Sequence, residues 1–289
     1  MSKTENLVEL LKDKYQAIMK VKGNNPEWAV HNWKSMDELV SCTIPFVGKE
    51  YIKQQIKILV YASAENLSWY KYEDGHSVDW LEDREKAVDR HRLWFEQKEM
   101  QDDSFFPNVH IQPMNNGCLS TAVYYIANKL KPVRKMKPRD FYETIAFANY
   151  GKYSIETEKQ RSIRTKETDV KRNANKDYAG KMSFLSESHE FITADIEALV
   201  PDYIIMPASI YRTDKEFVDK IKGNAQIIPI YQMNAGVINR IIAANFDKCT
   251  EEALAPNVRL WYASLGQNGM SGKSKENYRA VFSYLDSII

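Results

Sequence analysis

Lys57 to Leu67 reads KILVYASAENL: apolar residues in succession, then small ones, then Glu65 and Asn66. Ile58, Leu59, Val60 and Tyr61 are apolar at consecutive positions, which is the pattern of a strand buried on both faces. Such a strand belongs to a parallel sheet covered by helices, and open α/β sheets put their ligands at the carboxyl ends of these strands. Ala62, Ser63 and Ala64 read as a narrow turn that lets a ligand approach the backbone. Glu65 and Asn66 supply a carboxylate and an amide at its lip. An ordinary strand-to-helix turn with a polar cap explains the same residues.

Working outward, three more segments share this grammar of an apolar run halting in small or polar residues. Thr144 to Ala148 ends at Asn149, Tyr203 to Met206 ends at Pro207-Ala208-Ser209, and Val258 to Tyr262 runs into ASLGQNGMSGKS. Ala225 to Ile230 is a further strand, and Pro229 marks it as an edge or a strand end. In a parallel sheet these ends converge on one rim. Helical spacing falls between the strands: Leu7, Leu10, Leu11, Tyr15 and Ile18 share one face behind Thr4 as cap, with Gly23 and Pro26 beyond. Further helices are expected near 82–98, from Ser120 to Leu130, and over Phe191–Leu199, Lys215–Ile221, Val237–Asn245 and Lys275–Leu285. Strands alternating with helices predict an α/β fold, three-layer αβα, with a central, mainly parallel sheet of four to five strands. The expected organisation is one α/β domain over 1–289, with an N-terminal helical extension (1–52) and a basic loop insertion (151–183). That insertion holds nine Lys/Arg against five Asp/Glu and has no clean period. It reads as an exposed basic loop.

Composition narrows the function classes. The 289 residues are 44% hydrophobic and 12% aromatic, enough for a substantial core. Forty basic and 39 acidic residues leave a formal charge of +1, so no global field steers the chain to nucleic acid or membrane, and any basic footprint must be local. Cys42, Cys118 and Cys249 are far apart, and the five histidines are scattered. This argues against a disulfide framework and a structural metal site, and no cofactor is expected. The amino-terminal residues read as a charged helix, not a signal sequence, and no apolar run approaches about 18 residues. The expectation is a soluble cytoplasmic protein with no membrane partner.

Several motif classes are missing. Gly269-Met270-Ser271-Gly272-Lys273-Ser274 lacks Walker A spacing, though its loop can present backbone N–H groups and a cation to a phosphate. No Gly-x-Gly-x-x-Gly follows a strand, which disfavours a dinucleotide fold. No Gly-x-Ser-x-Gly elbow exists, which disfavours an α/β-hydrolase.

In their order along the chain, the segments resemble the uracil-DNA glycosylase superfamily. KILVYASAENL resembles the first-strand motif whose loop carries water-activating or substrate-contacting residues, which makes Glu65 and Ser63 catalytic candidates and Asn66 a base contact. IQPMNNGCL (Ile111 to Leu119) resembles the segment that stacks a side chain on the extruded base, here Met114. AFANYGKYS (Ala146 to Ser154) resembles the strand ending in the Asn that reads the base edge, here Asn149. PDYIIMPAS and WYASLGQNG resemble the penultimate strand and the loop after the last one, which holds phosphate. Ser264, Gly266 and Lys273 are then the phosphate contacts. YRAVFSYL resembles the closing helix. The resemblance implies DNA as partner and hydrolysis of an N-glycosidic bond, with the target nucleotide taken out of the stack and read by its Watson–Crick edge. Two departures stand out: the first motif lacks Gly-Gln-Asp-Pro or Gly-Glu-x-Pro-Gly, and Trp261-Tyr262-Ala263-Ser264 replaces the usual His-Pro pair. Two other readings stay open: a non-catalytic nucleic-acid- or partner-binding protein on the same fold, and an α/β enzyme acting on a free nucleotide.

Overall fold

A computed structural model of the chain describes residues 3–22, 44–66, 116–131, 141–155, 185–231, 235–244, 248–267 and 272–289. Five strands form one mixed sheet: β1 (Phe46–Val47), β2 (Ile58–Asn66), β3 (Ala146–Ile155), β4 (Tyr203–Pro207) and β5 (Gln226–Ile230), in the order β1-β3-β2-β4-β5. The ladders β2–β3, β2–β4 and β4–β5 are parallel, and β1 lies antiparallel on the outer edge of β3. Taken in chain order, the four parallel strands therefore lie 2-1-3-4. This is the arrangement of a doubly wound sheet, in which the first strand is central and later ones are added to either side of it. Pro229 sits on β5, an edge strand, as its missing N–H requires.

Helices cover both faces. Ile58, Val60 and Ala62 pack with residues of α2 (Asn116–Leu130), α6 (Ala235–Ala243), α7 (Pro256–Gln267) and α8 (Gly272–Asp286). Leu59 and Tyr61 pack instead with α1 (Lys3–Lys22), α3 (His189–Leu199), α4 (Ala208–Thr213) and α5 (Lys215–Ile221). Strand alternation thus explains the unbroken apolar run: every side chain from 58 to 62 has a helical layer to enter.

The amino ends of the strands are fastened by short-range bonds. Asp202 accepts the Lys57 N–H on its carboxylate at 2.7 Å, gives its own N–H to the Lys57 carbonyl at 2.9 Å, and its carbonyl receives the Gln226 N–H at 2.8 Å. One residue thereby joins the starts of β2, β4 and β5. On the other side Gly48 donates to Ile145 O. A Cβ at Gly48 would overlap the backbone carbonyls of Glu143 and Tyr142, so only glycine permits this approach.

Three expectations change. The stretch ASAEN is not a turn: β2 runs on to Asn66 because β3 also continues and supplies partners, Ala64 opposite Gly151 and Asn66 opposite Ile155. Val258 to Tyr262 is not a strand but part of α7. Pro256 opens that helix with its fixed φ, and Val258 and Tyr262 are buried four residues apart while Arg259 and Leu260 are exposed. Lys152, read as part of an exposed basic loop, is a buried residue of β3. The expected helix near 82–98 and residues 156–183 of the insertion lie outside the described residues. No helix among the described residues is long and apolar enough to cross a membrane.

Two stability outcomes follow from these junctions. Val200 caps α3 at φ 45° with its side chain 64% exposed. A left-handed conformation costs a β-branched residue about 1–2 kcal/mol, only partly offset by the entropy that glycine loses. Val200→Gly should raise Tm by roughly 1–3 °C in thermal unfolding. At the end of α2, Lys131 Nζ reaches Gln54 Oε1 at 3.1 Å and the carbonyl and hydroxyl of Thr144 at 3.4 Å, and burial lowers its ammonium from 10.5 to about 8. The unfolded chain therefore holds more protons between these values, and stability rises with pH across that window. Lys131→Met removes the effect. The Tm difference, variant minus parent, should fall between pH 7 and pH 10 by roughly 2–4 °C, allowing for partial exposure.

Candidate functional site at the carboxyl rim

The register defines where the sheet ends. Asn149 is paired with Ala62, Val60 with Ile205, and Pro207 with Ile230. Extending the β2–β4 register by two residues sets Asn149, Ala62, Pro207 and Ile230 in one row across the strands. Beyond this row β4 and β5 stop, while β2 and β3 continue as a two-stranded ribbon for about 13 Å at the usual rise per residue. Between Ala64/Gly151 and Asn66/Ile155 the ribbon is irregular: β3 advances four residues while β2 advances two. A bulge of this kind bends the strand and re-aims its side chains.

The row brings two of the sequence-derived residues to adjacent strands. Asn149 is buried beside Ala62, and Ser63 follows Ala62 with its side chain half-buried. Alternation puts Asn149 on the α2 face with Phe147 and Ser63 on the α3 face with Tyr61, so the sheet separates them. The backbone of Glu65 and Asn66 lies in the ribbon beyond the row. Met114 lies outside the described residues. Ser264 and Gly266 fall within α7 and Lys273 in the first turn of α8. Contrary to expectation, Ser264 and Gly266 thus follow no strand, and residues 268–271 of the expected phosphate loop lie outside the described residues. Among the described residues the last strand is β5, and the chain leaves it at the exposed Tyr231.

On the α3 face, the ribbon and helices enclose a polar cluster. Lys152 Nζ bonds Asp195 Oδ2 at 2.6 Å, with side-chain exposures of 1% and 0%. Asp195 also accepts the Tyr15 hydroxyl on Oδ1 at 2.7 Å and the Tyr61 hydroxyl on Oδ2 at 3.0 Å. The Lys152 ammonium lies 5.6 Å from the Tyr15 ring centre and 5.3 Å from that of Tyr61. Its backbone N–H, in the irregular stretch of β3, donates to Ser188 Oγ at 2.9 Å. Burial pushes the Asp195 carboxyl up, against the pull of Lys152 and of the two tyrosine hydroxyls. Burial also pushes the Tyr61 phenol well above its ordinary range, and the Asp195 carboxylate adds to the shift. The ammonium thus has one carboxylate and two ring faces, and the carboxylate has the ammonium and two phenol donors, which together replace much of the water that the two groups lose.

A second group lies beside it. Tyr150 meets Tyr61 edge to face at 5.4 Å and donates its hydroxyl to Asp214 Oδ2 at 2.5 Å. The same oxygen lies 2.8 Å from His189 Nε2. Asp214 is buried in the turn between α4 and α5, and His189 opens α3 with its side chain 26% exposed and its ring stacked on Phe217. Burial first, then the bond to Asp214, raises the Tyr150 phenol.

The sequence reading missed Tyr15, Lys152, His189, Asp195 and Asp214. One signal was available. Phe191, Ile192, Asp195, Ile196 and Leu199 fall on the buried stripe of α3, and a carboxylate in an apolar stripe requires a buried partner. Among the described residues no cluster of three or more His, Cys, Asp or Glu is placed to hold a metal ion.

Removing one member of the buried pair strands the other. Lys152→Met should cost roughly 3–5 kcal/mol in denaturant unfolding. Lys152→Met/Asp195→Asn should recover part of that, since the amide oxygen still accepts from the tyrosines. A double variant no more stable than the single one would mean that the charge of Asp195 is not what the lysine offsets. Comparison of the chain with protein-family models, with curated proteins and with solved structures finds no match.

Proposed function

We propose that the chain hydrolyses the N-glycosidic bond of an altered base in DNA, in the manner of the uracil-DNA glycosylases that its sequence resembles. The observation that supports this reading is the row Asn149–Ala62–Pro207. It is the carboxyl rim of a doubly wound sheet, where such folds hold ligands, and the base-reading candidate lies on it with Ser63 one residue past it. The Asn149 amide has the paired donor and acceptor that a uracil-like edge requires. Glu65, farther out on the ribbon, is assigned to water: a carboxylate orients it toward the sugar carbon as positive charge develops there. The bond between sugar and base breaks, the water oxygen bonds to the carbon, and the base leaves with a proton.

A second reading is an α/β enzyme acting on a free nucleotide. It draws on the placement of Ser264, Gly266 and Lys273 within helices rather than in a loop that follows a strand.

The test uses end-labelled oligonucleotides carrying uracil or hypoxanthine, with abasic sites revealed by alkali. Cleavage is expected from the parent, with a loss of roughly 10²-fold or more in Glu65→Ala. Asn149→Ala should lose discrimination between bases. Binding should weaken steeply between 50 and 200 mM salt, as phosphate contacts require. No abasic product from folded protein on any of these substrates would sink the glycosylase reading. Salt-independent binding of a mononucleotide would favour the second.

A further inference from the structure

We propose that His189 is a proton-transfer group at the carboxyl rim, acting on water or a substrate hydroxyl, with Asp214 and Tyr150 as the residues that position it. The assignment rests on the rim being the site, as the preceding reading has it, but not on the identity of the substrate.

Asp214 carries the argument. Its carboxylate is buried, and among the described residues it is bonded by a phenol and an imidazole, with neither lysine nor arginine on it. Both donors meet the same oxygen, Oδ2. The hydrogen bond from His189 Nε2 fixes the tautomer of the neutral ring, so that Nδ1 is left as the acceptor. Among the described residues no group bonds Nδ1. Phe217 lies parallel to the ring, 3.5 Å between centres, which holds the imidazole in one plane. The side chain nevertheless keeps 26% of its surface open.

A carboxylate bonded to one nitrogen of an imidazole fixes which nitrogen carries the proton and holds the ring in orientation, leaving the other as a proton acceptor. In the step proposed, Nδ1 takes a proton from water or a hydroxyl as its oxygen bonds to an electrophilic carbon. The same proton then passes to the leaving atom, which keeps the electron pair of the broken bond. The position suits this role: His189 begins α3, which crosses from β3 to β4, and Tyr150 is the residue after Asn149 on the rim. Lys152 and Asp195 do not take part, because each is satisfied by the other and closed to solvent.

The experiment reads the ring directly in the intact protein. In ¹⁵N-histidine spectra, with the His189 signals assigned by their loss in His189→Gln, the neutral ring should be protonated at Nε2 and bare at Nδ1. Diethyl pyrocarbonate, followed by peptide mass spectrometry, should modify His189 in the folded parent. Asp214→Asn should slow this roughly tenfold, because an amide can pair with Nε2 in either tautomer and no longer keeps Nδ1 as the bare nitrogen. Tyr150→Phe keeps the carboxylate but removes one of its two donors, and should slow modification less than Asp214→Asn does; an unchanged near-UV circular dichroism spectrum guards against an Asp214→Asn chain that fails to fold. A proton on Nδ1 in the neutral ring, or a ring inert to the reagent, overturns the assignment. So does a modification rate indifferent to the charge at 214, since a merely structural histidine would behave that way. These readouts do not depend on base excision: an inactive protein with a bare, reactive Nδ1 would refute the glycosylase reading and leave this one standing. If the parent cleaves an altered base, His189→Gln should slow cleavage by roughly 10²-fold with an unchanged Tm.

Discussion

The ion pair between Lys152 and Asp195 is the constraint around which the α3 face is arranged. Two charges removed from water cost several kcal/mol each, and their attraction repays this only when every remaining donor and acceptor is satisfied. That requirement recruits α1 through Tyr15, β2 through Tyr61 and the start of α3 through Ser188. Four elements distant in sequence are thereby held in one relative position. A hydrophobic contact would allow them to slide, whereas a carboxylate with three directional donors does not.

The two ends of the sheet are built by different means. At the amino ends, backbone groups and Asp202 join neighbouring strands over short distances, and Gly48 lets the edge strand close on the backbone beside it. At the carboxyl ends the ladder narrows to β2 and β3, and long side chains from the helical layer replace missing strands as partners. Such an end can hold polar groups between sheet and helices, with Lys152, Asp195 and Asp214 buried and His189 still partly open. This is why titratable residues accumulate there on a fold whose other end is mostly main chain.

The apolar strands were legible because burial on both faces leaves no polar position within them, and β4 and β5 lie where their runs of Ile and Met put them. Phe191–Leu199 and Lys215–Ile221 were equally plain, being bounded by changes of period and by Pro201. The seam between helix and strand was less so. Val258–Tyr262 is apolar enough for either, and only Pro256 and the four-residue spacing decide for a helix. The end of β2 was misjudged because Ala, Ser and Glu are poor strand formers, yet a neighbour that continues makes them strand. At the site, Asn149 and Ser63 were found as residues ending apolar runs. Asp195, Asp214 and His189 were not, because their partners lie between 25 and 180 positions away in sequence. Local patterning carries no trace of a pair that forms only on folding.

Pro229 and the shortness of β1 have a consequence for the molecule among its neighbours. A sheet edge with free N–H and C=O groups is a template on which another chain can add a strand, and extended edges are where folded proteins begin to aggregate. Here β1 offers only Phe46 and Val47, too few to hold a foreign strand, and β5 on the other margin has lost a donor to proline at the fourth of its five residues. Lateral growth is thus hindered along β5 and along the start of β3, whereas beyond Phe147 no strand among the described residues pairs with the outer edge of β3. Two local features of the chain limit edge-to-edge association along those parts of the sheet, with no need for a large net charge.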